Sequence, residues 1–247
     1  MNDRNKTASH GFLIKGRRMH EISTTTTSTK ATLVLGVLLD GSDKGYPFVV
    51  QVNVSYALDV EGALSVVIRA QNVIKDGTPA PFMAGCHPYF KLAHSTFKTA
   101  RVVLDNRTRW NRQVQLMAQV PNGVTQPFGG MNGADAIADP HVLCPACHAN
   151  ASTVPPTLPH WDDGFTPTAS RLDVPDLVAR IHDGENDVLY LALDDGFRYV
   201  QVYSGSPSTG VAVEPMSSET DAFNNRDGII VLEDGGVWAG RFRIGIE

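Results

Sequence analysis

Two short stretches of this 247-residue chain carry residue types suited to proton transfer. In Gly85-Cys86-His87-Pro88-Tyr89-Phe90-Lys91-Leu92 a histidine and a tyrosine flank a proline. The proline fixes its own φ and biases His87 toward extended backbone. An imidazole held that way at a strand end changes charge near neutral pH. In Val211-Ala212-Val213-Glu214-Pro215 a carboxylate closes an apolar strand. Partial desolvation there disfavours its charged form and brings its pKa toward neutrality. Such an imidazole and such a carboxylate can serve as acid and base for one reaction. Around them stand His10 beside Gly11, and Asp162 in Trp161-Asp162-Asp163-Gly164-Phe165. Tyr89 and Trp161 supply aromatic faces of the kind that line ligand pockets. Each residue also has an inert reading. Glu214 could keep a sheet edge from pairing with another chain, and His87 could sit under a loop, satisfied by backbone hydrogen bonds.

The elements that must position these groups read as strands. Val50, Val52, Val54, Tyr56 and Leu58 alternate with Gln51, Asn53 and Ser55, the period of a half-buried strand. Asp59 to Gly62 makes a turn, and Leu64, Val66, Ile68 and Ala70 repeat the pattern, which predicts an antiparallel hairpin. The Thr24 to Thr27 run leads into a strand over 31–39, with Asp40-Gly41-Ser42-Asp43 as the next turn. Further short strands are predicted over 99–104, 177–182, 188–193, 199–203, 210–214 and 237–246. Residues 105–170 are rich in Pro, Gly and Asn, a length unusual for a loop in a compact domain, and they are expected to hide short strands. No helix of convincing length and no internal repeat is found. Many short strands separated by turn residues predict an all-β chain, a large and predominantly antiparallel β-sandwich forming a single domain over 1–247.

Composition narrows the function classes. A chain of this length buries enough surface to need no staples, and three cysteines make no disulfide framework. The net charge of −5 gives no reason to expect nucleic acid or an anionic membrane as partner. No apolar run approaches the roughly 20 residues of a membrane span, and Met1 to Lys6 lacks the apolar core of a signal peptide. A cytoplasmic protein is expected.

Taken together and in order, the motifs resemble the aldose 1-epimerase (galactose mutarotase) family. The resemblance runs through Ser9-His10-Gly11-Phe12 and Gly45-Tyr46-Pro47-Phe48 to His87-Pro88-Tyr89-Phe90-Lys91-Leu92. It continues with Asp162 ahead of Phe165, then Val211-Ala212-Val213-Glu214-Pro215 and Asp221-Ala222-Phe223-Asn224. It implies a galactose mutarotase-like sandwich with Glu214 as general base and His87 as general acid. His10, Tyr89 and Asp162 would lie on the hydroxyls or ring oxygen of a sugar substrate, with no cofactor. The chemistry fits those residue types independently: opening a pyranose removes a proton from the anomeric hydroxyl and delivers one to the ring oxygen. The alternatives are a hexose-6-phosphate 1-epimerase, for which Lys15, Arg17 and Arg18 are the nearest basic group to a site residue, and a non-catalytic carbohydrate-binding protein. Relatives begin with further strands and an arginine-bearing stretch ahead of the His-Gly piece, so the chain is expected to lack the family's N-terminal part. A sheet edge left open by that loss would favour a homodimer.

His141, Cys144, Cys147 and His148 stand outside the family pattern. A Cys-x-x-Cys knuckle flanked by histidines can bind zinc, but neighbouring Cys147 and His148 chelate poorly together, and an ordinary loop is the preferred reading. Gly129 to Gly133 lacks the strand–turn–helix setting of a phosphate loop and is read as loop.

Overall fold

Alternating β-branched and polar residues set the architecture, because period-two patterning buries one side of each strand. The computed structural model describes residues 10–13, 17–74, 76–91, 101–104, 110–114, 141–142, 162–167, 177–182, 188–194, 196–203, 211–220 and 222–247. In chain order the strands are β1 (His20–Thr26), β2 (Lys30–Asp40), β3 (Val49–Asp59), β4 (Leu64–Asn72), β5 (Ala80–Phe82) and β6 (Tyr89–Phe90). Next come β7 (Arg101–Leu104), β8 (Trp110–Val114), β9 (His141–Val142), β10 (Asp162–Pro167), β11 (Leu177–His182) and β12 (Val188–Leu193). The last are β13 (Tyr199–Tyr203), β14 (Val211–Met216), the short helix α1 (Ala222–Asn225), β15 (Ile230–Leu232) and β16 (Val237–Ile246).

These strands form a nine-stranded sheet in the order β1-β2-β3-β4-β16-β12-β11-β7-β9 and a five-stranded sheet in the order β6-β14-β13-β10-β8. A two-stranded piece, β15-β5, completes them. The pairings between named strands are antiparallel. The sequence expectation of an antiparallel β-sandwich therefore holds. The β3–β4 hairpin forms in the expected register, Val52 opposite Ala70 and Val54 opposite Ile68. Its turn is closed by Asp59, whose Oδ1 accepts from the backbone N–H of Glu61 and Ala63, while Gly62 takes φ +82°. The region 105–170 does contain hidden strands, β8, β9 and β10.

One hydrophobic core joins both sheets. Val52, Val54, Ile68 and Phe242 of the larger sheet belong to the same buried cluster as Val200, Val202, Val211, Val213, Phe90 and Phe165 of the smaller one. β1 is one of the two outer strands of the larger sheet and is exposed along its whole length. A bulge lies between Glu21 and Ser23, a device that blunts an edge against further pairing. No helix among the described residues is long and apolar enough to cross a membrane.

Asp194, just after β12, ties the chain to β16. Asp194 Oδ1 accepts from Gly196 N–H and Arg241 N–H, and Asp194 N–H donates to Arg241 O at 3.0 Å. A Cβ on Gly196 would fall on the Gly240 backbone and reach 2.8 Å from Ala239 O. Neither backbone can give way without breaking the β16 ladder. Gly196→Ala is expected to lower the unfolding free energy by about 1–3 kcal/mol through this overpacking. Gly36→Ala, where the nearest atom is the end of the Ile22 side chain, is expected to cost less. Urea unfolding of the two variants in parallel checks the order.

Candidate functional site

The site grows from a break in a ladder. Gly85 bridges Met216, and further on Tyr89 pairs with Ala212 and Phe90 with Val211, all in one register. That register sets His87 opposite Glu214. The flanking pairs are Cys86 with Pro215 and Pro88 with Val213. Cys86 N–H donates to Pro215 O at 3.1 Å, but Pro215 and Pro88 have no N–H to return. His87 and Glu214 thus occupy the non-hydrogen-bonded position between them, where side chains on adjacent strands stand closest.

Their side chains meet. His87 Nε2 lies 3.2 Å from Glu214 Oε1, with 29% and 12% of the respective side chains exposed. The His87 ring stacks on Tyr89, centroids 4.8 Å apart and planes 20° from parallel. His10 approaches the same imidazole at 5.3 Å, and Tyr203 meets it edge-on at 6.3 Å. His10, His87, Tyr89 and Glu214, singled out from sequence, therefore converge. His10 and Gly11 reach this point through left-handed backbone, φ +63° and +65°.

Glu214 lies inside β14, which continues to Met216, rather than at the strand's end. It is buried and β14 runs between β6 and β13, so an edge-guarding role does not fit. Opposite it on β13 is Gln201, also buried. Gln201 and Tyr203 were not singled out from sequence, where residues 199–203 read only as a short strand. The available signal was a glutamine inside Val200-Gln201-Val202, because a polar residue buried in an apolar run calls for a partner. Asp162 begins β10 and pairs with Tyr203, so its backbone stands in the same cross-sheet row as Tyr203, Ala212 and Tyr89. Its side chain lies outside the described residues.

The electrostatics follow the geometry. The Tyr89 hydroxyl is pushed above its ordinary value by desolvation and then by the neighbouring Tyr203 and Glu214, so it stays a neutral donor near pH 7. Among the described residues no group of three metal-ligating side chains gathers. Of the His141 to His148 constellation only the His141 backbone, in β9, is described. Trp161, Lys15 and Asp221 also lie outside the described residues.

Comparison with known proteins gives a consistent picture. The sequence model of the aldose 1-epimerase family matches residues 1–245. An uncharacterised Escherichia coli K12 protein, YihR, is 29% identical over 246 residues, covering 93% of this chain and 65% of its own length. A galactose mutarotase-like protein of Clostridium acetobutylicum shares the fold with a TM-score of 0.62 at 16% identity, covering 96% of this chain and 68% of that one. An aldose epimerase homologue from C. elegans does so with a TM-score of 0.66 at 12% identity, covering 94% and 69%. The chain thus spans about two thirds of the length of the relatives it matches.

Cys86, next to His87, invites a test of its chemistry. Burial pushes its thiol up to about 11, so the reactive thiolate is scarce at pH 8. Peptide mapping after alkylation at pH 8 is expected to find Cys86 unmodified in the folded protein and labelled after unfolding.

Proposed function

The chain belongs to the aldose 1-epimerase family, and we propose that it interconverts the α and β anomers of a free aldohexose by acid–base ring opening and closure. The observation that carries this reading is the contact of His87 Nε2 with Glu214 Oε1 at 3.2 Å. The anomeric hydroxyl and the ring oxygen of a pyranose are bonded to the same carbon. A base for one and an acid for the other must therefore stand close together, as these two groups do.

In this mechanism Glu214 takes the proton of the anomeric hydroxyl while protonated His87 gives one to the ring oxygen, and the C1–O5 bond breaks. The C1–C2 bond of the open aldehyde rotates. His87 then removes the hydroxyl proton as O5 attacks C1, and Glu214 returns a proton to the carbonyl oxygen, closing the ring with C1 inverted. Each positioned proton transfer is worth about 10²- to 10⁴-fold, so the pair suffices without a cofactor. Tyr89 offers its ring to the apolar face of the sugar, and His10 and Asp162 hold hydroxyls.

A free sugar is favoured over its 6-phosphate by the fate of Arg17. Its Nη2 lies 2.6 Å from Asp43 and 3.1 Å from Asp40, so this guanidinium is already matched by carboxylates and is poorly placed to recruit a phosphate.

Glu214→Gln keeps the shape of the side chain and most of its hydrogen bonding but removes its proton affinity. It is expected to lower kcat for mutarotation of α-glucose or α-galactose by about 10²-fold or more, with sugar binding nearly intact. His87→Asn is expected to act similarly, and the double variant to lose far less than the product of the two. The wild-type rate should be bell-shaped in pH. Polarimetry beside calorimetric binding checks all of this. Sugar binding by the wild type without faster mutarotation would instead identify a carbohydrate-binding protein, and full turnover by Glu214→Gln would move the base elsewhere.

A further inference from the structure

Three rings meet beside the acid–base pair, over a single small residue. Tyr89 on β6 and Tyr203 on β13 both pair with Ala212 of β14, from opposite sides. Two strand spacings set their backbones roughly 9–10 Å apart. Ala212 alternates with the core residues Val211 and Val213, so its methyl group points to the same face as Glu214, yet it is fully buried. The His87 ring stacks on Tyr89 at 4.8 Å, and Tyr203 crosses it at 6.3 Å with planes 76° apart. Both separations lie in the range in which aromatic rings attract. Tyr203 also acts on Tyr89: desolvation first, then Tyr203 and Glu214, push the Tyr89 hydroxyl up. The two tyrosines thus lean toward each other across Ala212, and His87 sits against both.

This arrangement bears on the contact that the reaction needs. His87 has two side-chain torsions, and its 3.2 Å approach to Glu214 survives only while both are held. A stacked neighbour fixes the plane of an imidazole but lets the ring slide within that plane. A second ring set across the first resists the slide.

We propose that Tyr203 is a positioning residue, closing with Tyr89 over Ala212 so that the His87 imidazole is held on Glu214. The inference rests on the reading of His87 and Glu214 as acid and base, and adds how the two are kept in contact. Ala212 belongs to the same device, because a larger side chain there would wedge the rings apart. His87 is faced by Glu214 from β14, Tyr89 from β6, Tyr203 from β13 and His10 from the 10–13 segment, 5.3 Å away. The carboxylate favours the imidazolium, and a protonated His10 opposes it. Loosening the ring from Glu214 therefore lowers the pKa of His87.

The test is an NMR titration of the His87 imidazole in the sugar-free protein, labelled on histidine, in a His10→Asn background so that the charge of His10 does not enter. Tyr203→Leu is expected to lower the His87 pKa by about 0.5–1, part of the worth of one charged neighbour. Tyr203→Phe should restore most of that loss, because the ring and not the hydroxyl makes the contact. Ala212→Val keeps both tyrosines and is expected to lower the pKa likewise, and it carries the test should Tyr203→Leu be insoluble. Tyr190→Leu removes a ring that covers Gly245 in the larger sheet and should leave His87 unmoved. In mutarotation, with His10 in place, Tyr203→Leu is expected to lower kcat about 10-fold with KM within about twofold, and to move the limb of the pH profile set by His87 downward by the same shift. A His87 titration unchanged by either Tyr203→Leu or Ala212→Val would overturn the proposal. So would Tyr203→Phe acting like Tyr203→Leu, or an equal shift from Tyr190→Leu. The titration needs no turnover, so a protein that fails to epimerise sugars still decides whether the rings hold the imidazole.

Discussion

The site depends on the register between residues 85–90 and β14. One residue of slip would turn Glu214 toward a different neighbour and move His87 to the other side of the sheet. The register is fixed from both ends, by the Gly85–Met216 bridge and by the Tyr89–Ala212 and Phe90–Val211 pairs. It is secured further by Ser217 N–H on Ala84 O at 2.8 Å and Ala84 N–H on Ser217 Oγ at 2.9 Å. Between these fastenings the two prolines withdraw their donors, and the backbone there need not lie flat as a ladder.

The five-stranded sheet divides its labour between faces. Val211, Val213, Val200, Val202 and Phe165 share one face by register and are buried in the common core. The alternating positions carry Tyr89, Ala212, Glu214, Gln201 and Tyr203. Hydrophobic burial on the first face supplies the stability, roughly 1.5–3 kcal/mol for each fully buried aliphatic side chain. It thereby holds the second face still without relying on any contact among the polar groups themselves. The larger sheet contributes mostly core, plus the β2–β3 loop, whose Tyr46 meets Phe12.

Legibility from sequence followed the range of the interactions involved. The β3–β4 hairpin could be read because its pattern and its Asp59–Gly62 turn are local. β5, β6 and β15, with three, two and three residues, are too short for any period to show. β6 exists because the longer β14 offers it a ladder, and β5 and β15 form by pairing with each other across the fold. His87 and Glu214 were recognisable as residue types, and the order of the motifs suggested that they act together. Their being opposite one another depends on pairing across more than a hundred intervening residues, which no local pattern encodes. Pro215 misled the reading of Glu214, since a proline usually closes a strand. Here β14 runs on through it: Pro215 O still accepts from Cys86 N–H, and only the return bond is forgone.

The pair at the centre contributes little to holding the fold together. Were both groups charged, desolvation would cost several kcal/mol per ion and their attraction would do little more than return it. An apolar pair in the same non-hydrogen-bonded position would be at least as stable. What the polar pair adds is a polar contact that a ligand can share. In the proposed reaction, a sugar hydroxyl arriving between Glu214 and His87 exchanges one polar contact for two without leaving either group orphaned, so the exchange is close to even in energy. In the proposed reaction, stability and function are then carried by opposite faces of one sheet, and the register of a single strand pair couples them.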